Sequence, residues 1–275
     1  MKTTQLLAST LCLALLAACG GGSDSSTAEK AIVNDIVTDK LEYRQVSTFT
    51  IKGSGLSNIT FTHQGCLSLA EVGTGSANER TYRCKIIRPN LVPVVVKDKA
   101  GKTIYASNQQ VTLALQPRVM ISTSMGNIEV ELNPAKAPIS VDNFLNYTES
   151  NFYSNKIFHR VIKNYVVQGG GLTADLVEAP AQAPILLEAG NGLINSRGTI
   201  AMARTATLNS ATAQFFINVA DNPTLDGASG YAVFGKVITG LEVVDTIQAV
   251  PTATKGGLSD VPTSTILINS ATKTQ

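Results

Sequence analysis

Residues Ile157 to Gly171, IFHRVIKNYVVQGGG, leave few folds open: two strand-like apolar runs are split by Lys163-Asn164 and closed by three glycines. Side chains two apart on a strand share a face. Phe158 and Arg160 are therefore expected to point one way and His159 and Val161 the other. In the second run Val166 and Gln168 share a face, with Tyr165 and Val167 opposite. Paired, the two strands set a guanidinium and an amide beside an apolar surface, an arrangement suited to holding a neutral, mostly apolar ligand by its carbonyl groups. The glycines do not read as a phosphate loop, because no Lys-Ser/Thr and no helical pattern follows them.

The flanking sequence has the same strand-rich character. Val119, Ile121 and Thr123, then Ile128, Val130 and Leu132 across Met125-Gly126, predict a hairpin with one buried face. Pro138 is well placed to open a helix, with Val141, Phe144, Leu145 and Thr148 along one stripe. A second helix is expected over Gly240 to Gln248, and a last strand over Thr265 to Asn269. Upstream, short strands are expected at Ser47–Lys52, Asn58–Thr62, Arg80–Ile87, Val92–Lys97 and Gln110–Leu115, broken by Gly53-Ser54-Gly55 and Asp98 to Gly101. Strands at this spacing without helices predict a small antiparallel sandwich, loosely like the immunoglobulin-like modules of bacterial surface proteins.

FHRVI and VVQGGG are followed by GTIAMAR (Gly198 to Arg204), AQFFINV (Ala213 to Val219) and GYAVFGKVITG (Gly230 to Gly240). In this order the motifs resemble those of the cyclophilins, the peptidyl-prolyl cis/trans isomerases, in bacterial form, over about Arg118 to Ser270. The resemblance implies a mainly β fold, an eight-stranded antiparallel barrel capped by two helices, and no cofactor or metal. Position by position it makes Arg160 the catalytic residue and Gln168 the holder of the substrate carbonyl. Tyr165, Val166, Phe216 and Leu225 match the proline pocket, Ala203 and Arg204 the strip along the substrate backbone, and His159 the adjacent histidine. Phe158, Gln214 and Tyr231 complete the expected substrate-binding set. Thr224 stands where animal cyclophilins carry Trp, Tyr231 where a pocket His is common, and Arg204 replaces an Asn. Cyclosporin, which in the family leans on that Trp, is therefore expected to inhibit weakly.

The N-terminus reads as an address. Met1-Lys2, the apolar run Leu6 to Leu16 and Ala17-Ala18-Cys19 follow the pattern of an export signal, and the run is too short to span a bilayer. Leu16 to Gly20 resembles the lipobox of bacterial lipoproteins, which implies a signal at 1–18, lipidation of Cys19 and sorting to the outer membrane, facing the periplasm. Residues 19–31 are Gly/Ser-rich and predict a flexible tether. The sandwich is then expected over 32–116 and the isomerase domain over 117–275.

Of four cysteines, Cys12 leaves with the expected signal and Cys19 is expected to be lipidated, so Cys66 and Cys84 remain, and an oxidising compartment favours a disulfide between them. A metal site with His63 falls short of a four-ligand set. A formal charge of +2 with no basic run interleaved with aromatics excludes a nucleic-acid surface. A Ser-His-Asp hydrolase is disfavoured, since no G-x-S-x-G elbow accompanies either histidine.

The expected chemistry makes and breaks no covalent bond. Rotation about an Xaa-Pro peptide crosses a barrier of about 18–20 kcal/mol, and the twisted amide regains a lone pair on the prolyl nitrogen. A guanidinium donates there without needing a protonation event. The expected clients are proline-containing segments of exported proteins. The rival reading is a non-catalytic, proline-binding chaperone or adaptor tethered to the membrane.

Overall fold

The computed structural model describes residues 30–275. The expected signal, Cys19 and nearly all of the tether lie outside the described residues.

The N-terminal strands are β1 (Ile32–Thr38), β2 (Val46–Ser54), β3 (Thr60–His63), β4 (Cys66–Glu71), β5 (Glu79–Ile86), β6 (Asn90–Lys97) and β7 (Thr103–Val111). They form two antiparallel sheets, β1-β2-β5-β4 and β3-β6-β7. Alternate residues of each face inward. Phe49, Ile51, Tyr82 and Cys84 of the first sheet share one core with Phe61, Val92, Val94 and Val96 of the second, which is the expected sandwich. Two strands, β1 and β4, were not expected, and the last runs over Thr103–Val111 rather than Gln110–Leu115. All three are edge strands. An edge strand is covered on one side only and carries polar residues, so its apolar alternation is weak.

Cys66 and Cys84 form a disulfide joining neighbouring β4 and β5, with Cα atoms 5.5 Å apart and a separation of 18 positions in sequence. A cross-link closing a loop of this length stabilises by about 3 kcal/mol through the unfolded chain. The Cys66→Ser/Cys84→Ser protein is therefore expected to lose that much, measured by denaturant unfolding. Reductant should shift the midpoint of the native protein and leave the variant unmoved.

The C-terminal part begins with β8 (Arg118–Thr123), β9 (Gly126–Leu132) and helix α1 (Pro138–Glu149). Strands β10 (Lys156–Ile162), β11 (Val166–Gly169), β12 (Thr199–Met202), β13 (Phe215–Asn218) and β14 (Val233–Thr239) follow. Helix α2 (Leu241–Gln248), a hairpin of β15 (Thr252–Lys255) and β16 (Leu258–Pro262), and β17 (Leu267–Lys273) complete the chain. Eight of these strands close an antiparallel barrel in the order β10-β11-β13-β12-β14-β9-β8-β17. Strand β17 extends four residues beyond the expected Asn269, because Ser270, buried Ala271, Thr272 and Lys273 continue to pair with β8. The β15–β16 hairpin was not expected.

The barrel interior is filled by Ile121, Ile128, Val130, Phe158, Val167, Phe215, Ile217 and Phe234, closed by Phe144 from α1 and by Val244 and Ile247 from α2. Phe144 meets Tyr153, Phe215 and Phe234 at ring-centroid distances of 5.2, 5.5 and 5.2 Å. Helix α1 starts at Pro138 as expected. Its free amides are satisfied by a side chain distant in sequence: Ile139 N and Ser140 N donate to the Glu188 carboxylate at 3.0 and 2.7 Å. This ties the long segment between β11 and β12 to the helix.

The outer side of α1 faces the sandwich. Asp142, its side chain 2% exposed, accepts from Arg44 Nε at 3.0 Å and from Lys85 Nζ at 2.6 Å. Arg44 also donates to both Glu149 oxygens and to Asn146 Oδ1. One helix therefore packs Phe144 inward and binds two cations outward, Arg44 from the turn between β1 and β2 and Lys85 from β5.

Candidate functional site

Strand pairing places one residue from each of five strands in a continuous row. Arg160 of β10 lies opposite Gln168 of β11, Gln168 opposite Phe216 of β13, Phe216 opposite Ala201 of β12, and Ala201 opposite Val233 of β14. Their sequence neighbours Val167, Phe215, Ile200 and Phe234 fill the barrel, so the row lies on the outer face. There Val166, Ala201, Ala203, Phe216, Leu225 and Val233 form a separate apolar cluster, joined by Tyr165, Leu193 and Tyr231.

This cluster surrounds a pocket of about 110 Å³ lined by Arg160, Tyr165, Val166, Gln168, Ala203, Arg204, Phe216, Leu225 and Tyr231. Phe216 meets Tyr231 edge-on at 5.5 Å. The Arg204 guanidinium stacks over Tyr231 at 4.7 Å, and its nitrogens donate to the carbonyls of Thr205, Ser229 and Gly230. Arg204 thus builds a wall, its charge spent on backbone carbonyls. Leu225 comes from a 3-10 turn held by three buried asparagines that the sequence reading did not single out. Asn222 Nδ2 donates to Tyr165 O at 2.8 Å and to Asn218 Oδ1 at 2.7 Å, Asn218 Nδ2 donates to Asn195 Oδ1 at 3.2 Å, and Asn195 Nδ2 donates to Leu225 O at 3.1 Å.

The polar edge of the pocket is an ordered chain. Arg160 Nη1 donates to Gln168 Oε1 at 3.3 Å, Gln168 Nε2 to Gln214 Oε1 at 3.0 Å, and Gln214 Nε2 to Glu178 Oε1 at 3.4 Å. A cation at one end and a carboxylate at the other orient both amides the same way. Asp260 Oδ2 stands 3.8 Å from Arg160 Nε.

Three expected residues lie elsewhere. Phe158 is fully buried inside the barrel, edge-on to Phe215 at 6.0 Å. The pairing register shifts between Phe158 and Arg160, so His159 is the extra residue of a bulge. Phe158 and Val161 therefore both enter the core while Arg160 faces out, and the expected sharing of a face by Phe158 and Arg160 is corrected. His159 and Gln214 line a neighbouring groove rather than the pocket. Tyr165 departs from its expected face for a related reason. It belongs to the turn before β11, where Asn164 takes a φ of 58° and Tyr165 N donates to Ile162 O, so it joins Val166 on the outer cluster.

His159 and His63, 6% and 3% exposed, are pushed down from 6.5 to about 4 by burial. The Arg160 cation adds to the shift at His159. With the folded value below the unfolded one, the unfolded chain takes up protons first as pH falls. The stability is complete above pH 6.5 and is lost as pH drops toward 4, on the order of 3 kcal/mol per histidine. Melting temperature measured from pH 7 to 4 should fall steeply, and His63→Gln and His159→Gln should each flatten the slope.

The sequence model described as "Cyclophilin type peptidyl-prolyl cis-trans isomerase/CLD" matches residues 118–273. The chain belongs to this family and is an enzyme of the peptidyl-prolyl cis-trans isomerase class. It is 54% identical over 153 residues to a peptidyl-prolyl cis-trans isomerase of Acinetobacter baylyi, covering 54% of this chain and 81% of that protein. It is 47% identical over 160 residues to peptidyl-prolyl cis-trans isomerase B of Escherichia coli, covering 56% and 98%. A Cryptosporidium parvum cyclophilin, crystallised in the presence of the dipeptide Ala-Pro, superposes with a TM-score of 0.50 at 29% identity, over 57% of this chain and 99% of that one.

Proposed function

We propose that this protein is a peptidyl-prolyl isomerase of the bacterial cell envelope, anchored by lipid at Cys19 and acting on proline-containing segments of exported proteins. Residues 117–275 carry the catalysis. The observation that carries this reading is the row in which Arg160 and Gln168 stand directly beside the apolar wall of Phe216. A prolyl ring enters the 110 Å³ pocket between Phe216, Leu225, Tyr165 and Tyr231. Gln168 holds a flanking backbone group, and the Arg160 guanidinium donates to the prolyl nitrogen as the amide twists. The donor is most effective in the twisted state, because only there does that nitrogen hold a free lone pair, and this preference is what lowers a barrier.

An oxidised Cys66–Cys84 pair accords with an exported site of action. The test is refolding of an exported protein whose slow phase is set by a proline bond. Catalytic amounts of the full chain should accelerate that phase, while Cys19→Ser should abolish fatty-acid labelling and release the chain from the membrane fraction. An unaccelerated slow phase would refute the client assignment, and unchanged labelling would refute the anchor.

A further inference from the structure

Across the Arg160–Gln168 pair from the small pocket lies a second groove of about 570 Å³, to which isomerisation itself assigns no role. One wall is the tip of the β15–β16 hairpin, with Leu258 and Asp260; the other is the segment after β11, with Leu172, Leu176 and Glu178. The hairpin packs on β10, and at its tip an added Cβ at Gly256 would lie 3.2 Å from Leu176 Cδ1, so the two walls meet. Leu176 and Asp260 both hold left-handed backbone, with φ of 62° and 58°. For a leucine this is uncommon and indicates that the surroundings impose its position.

The groove's charges do not balance. Among the described residues that line it, Arg160 is the one cation, already beside Asp260 and bonded to Gln168. Among the described residues, the Glu178 carboxylate receives a side-chain hydrogen bond from the neutral Gln214 amide alone, at 3.4 Å. Leucines on both walls with a surplus carboxylate suit an occupant that has an apolar stem and a positive end. Because Arg160 and Gln168 line both cavities, a chain whose proline fills the small pocket passes directly into the larger one.

We propose that this groove is a subsite for a lysine or arginine side chain of the client, carried on the same segment as the proline, with the leucines covering its methylenes and Glu178 and Asp260 receiving its charge. The proposal rests on the isomerase reading for the placement of the proline. It makes the enzyme selective for prolines with a basic residue nearby.

The test uses the full chain and Xaa-Pro peptides carrying a single lysine, norleucine or glutamate at each of three positions on either side of the proline. Isomerisation is read as kcat/KM, and binding is read separately by fluorescence anisotropy. At one position the order should be lysine, norleucine, glutamate, with lysine over glutamate by about tenfold at low salt. That ratio should shrink in 0.5 M salt and approach one in the Glu178→Gln/Asp260→Asn protein. Equal values at every position, norleucine matching lysine, or a lysine preference that survives the double substitution would each overturn the proposal. Ordered binding without turnover of any peptide would uphold the groove while refuting the isomerase reading, and turnover without order would do the reverse.

Discussion

Replacing Arg160 with alanine should lower kcat/KM for a short Xaa-Pro peptide by about 10²–10³, the loss seen when a single donor to developing charge is removed from a preorganised site. Rotation about the bond is otherwise slow, taking tens of seconds or more. Bringing it to milliseconds requires about four decades, or roughly 5–6 kcal/mol. The pocket and Gln168 contribute positioning, and the guanidinium contributes a charge-assisted hydrogen bond that strengthens as the amide twists. Removing Arg160 spares the apolar wall formed by Phe216, Leu225 and Tyr231, so peptide affinity should fall far less than turnover. Arg160→Lys keeps the charge but not the fork that reaches Gln168 Oε1 at 3.3 Å. It should rescue only part of the rate.

Asp142→Ala should destabilise the protein by about 3 kcal/mol, in the range for breaking a buried ion pair from one side. The carboxylate is 2% exposed and is shared by Arg44 and Lys85, whose side chains are 12% and 27% exposed. Its removal strands two cations between α1 and the sandwich, with Glu149 left to hold only Arg44. For a chain of this size the loss corresponds to a fall of roughly 6–12 °C in melting temperature, measurable by calorimetry. The isomerisation rate of the folded fraction should be unchanged, because no residue lining the small pocket belongs to this cluster.

The parts legible in the sequence were those governed by period and by motif. Gln168 and Val166 share a face because β11 is regular, and Phe216 alternates with Phe215 and Ile217 as a strand requires. The parts that were not legible depend on departures from that period or on contacts distant in sequence. The bulge at His159 shifts the parity of β10, which sends Phe158 inward, and no local signal in FHRVI marks it. The turn at Asn164 carries Tyr165 to the outer cluster for the same reason. The β15–β16 hairpin offered Gly256-Gly257 as a turn signal, but its strands are short and mostly exposed, so alternation could not reveal them. The Asn195–Asn218–Asn222 network and the Glu188 cap on α1 are formed by residues about 4 to 49 positions apart that meet only in the closed barrel. In the sandwich the interior strands β2, β5 and β6 were visible, as was the edge strand β3, whose Phe61 and His63 alternate inward, whereas the edge strands β1 and β4 were missed and β7 was misplaced, because they are mostly exposed and need few apolar residues.

The most direct test of catalysis by Arg160 is cis/trans exchange of an Xaa-Pro peptide measured by NMR exchange spectroscopy, with the native protein and with Arg160→Ala at concentrations that bind the peptide equally. The native protein should drive exchange on the millisecond scale, while the variant, with the peptide still bound, should fall back by the two to three decades given above. Exchange at the spontaneous rate with the native protein, or the same acceleration from both proteins, would contradict the account.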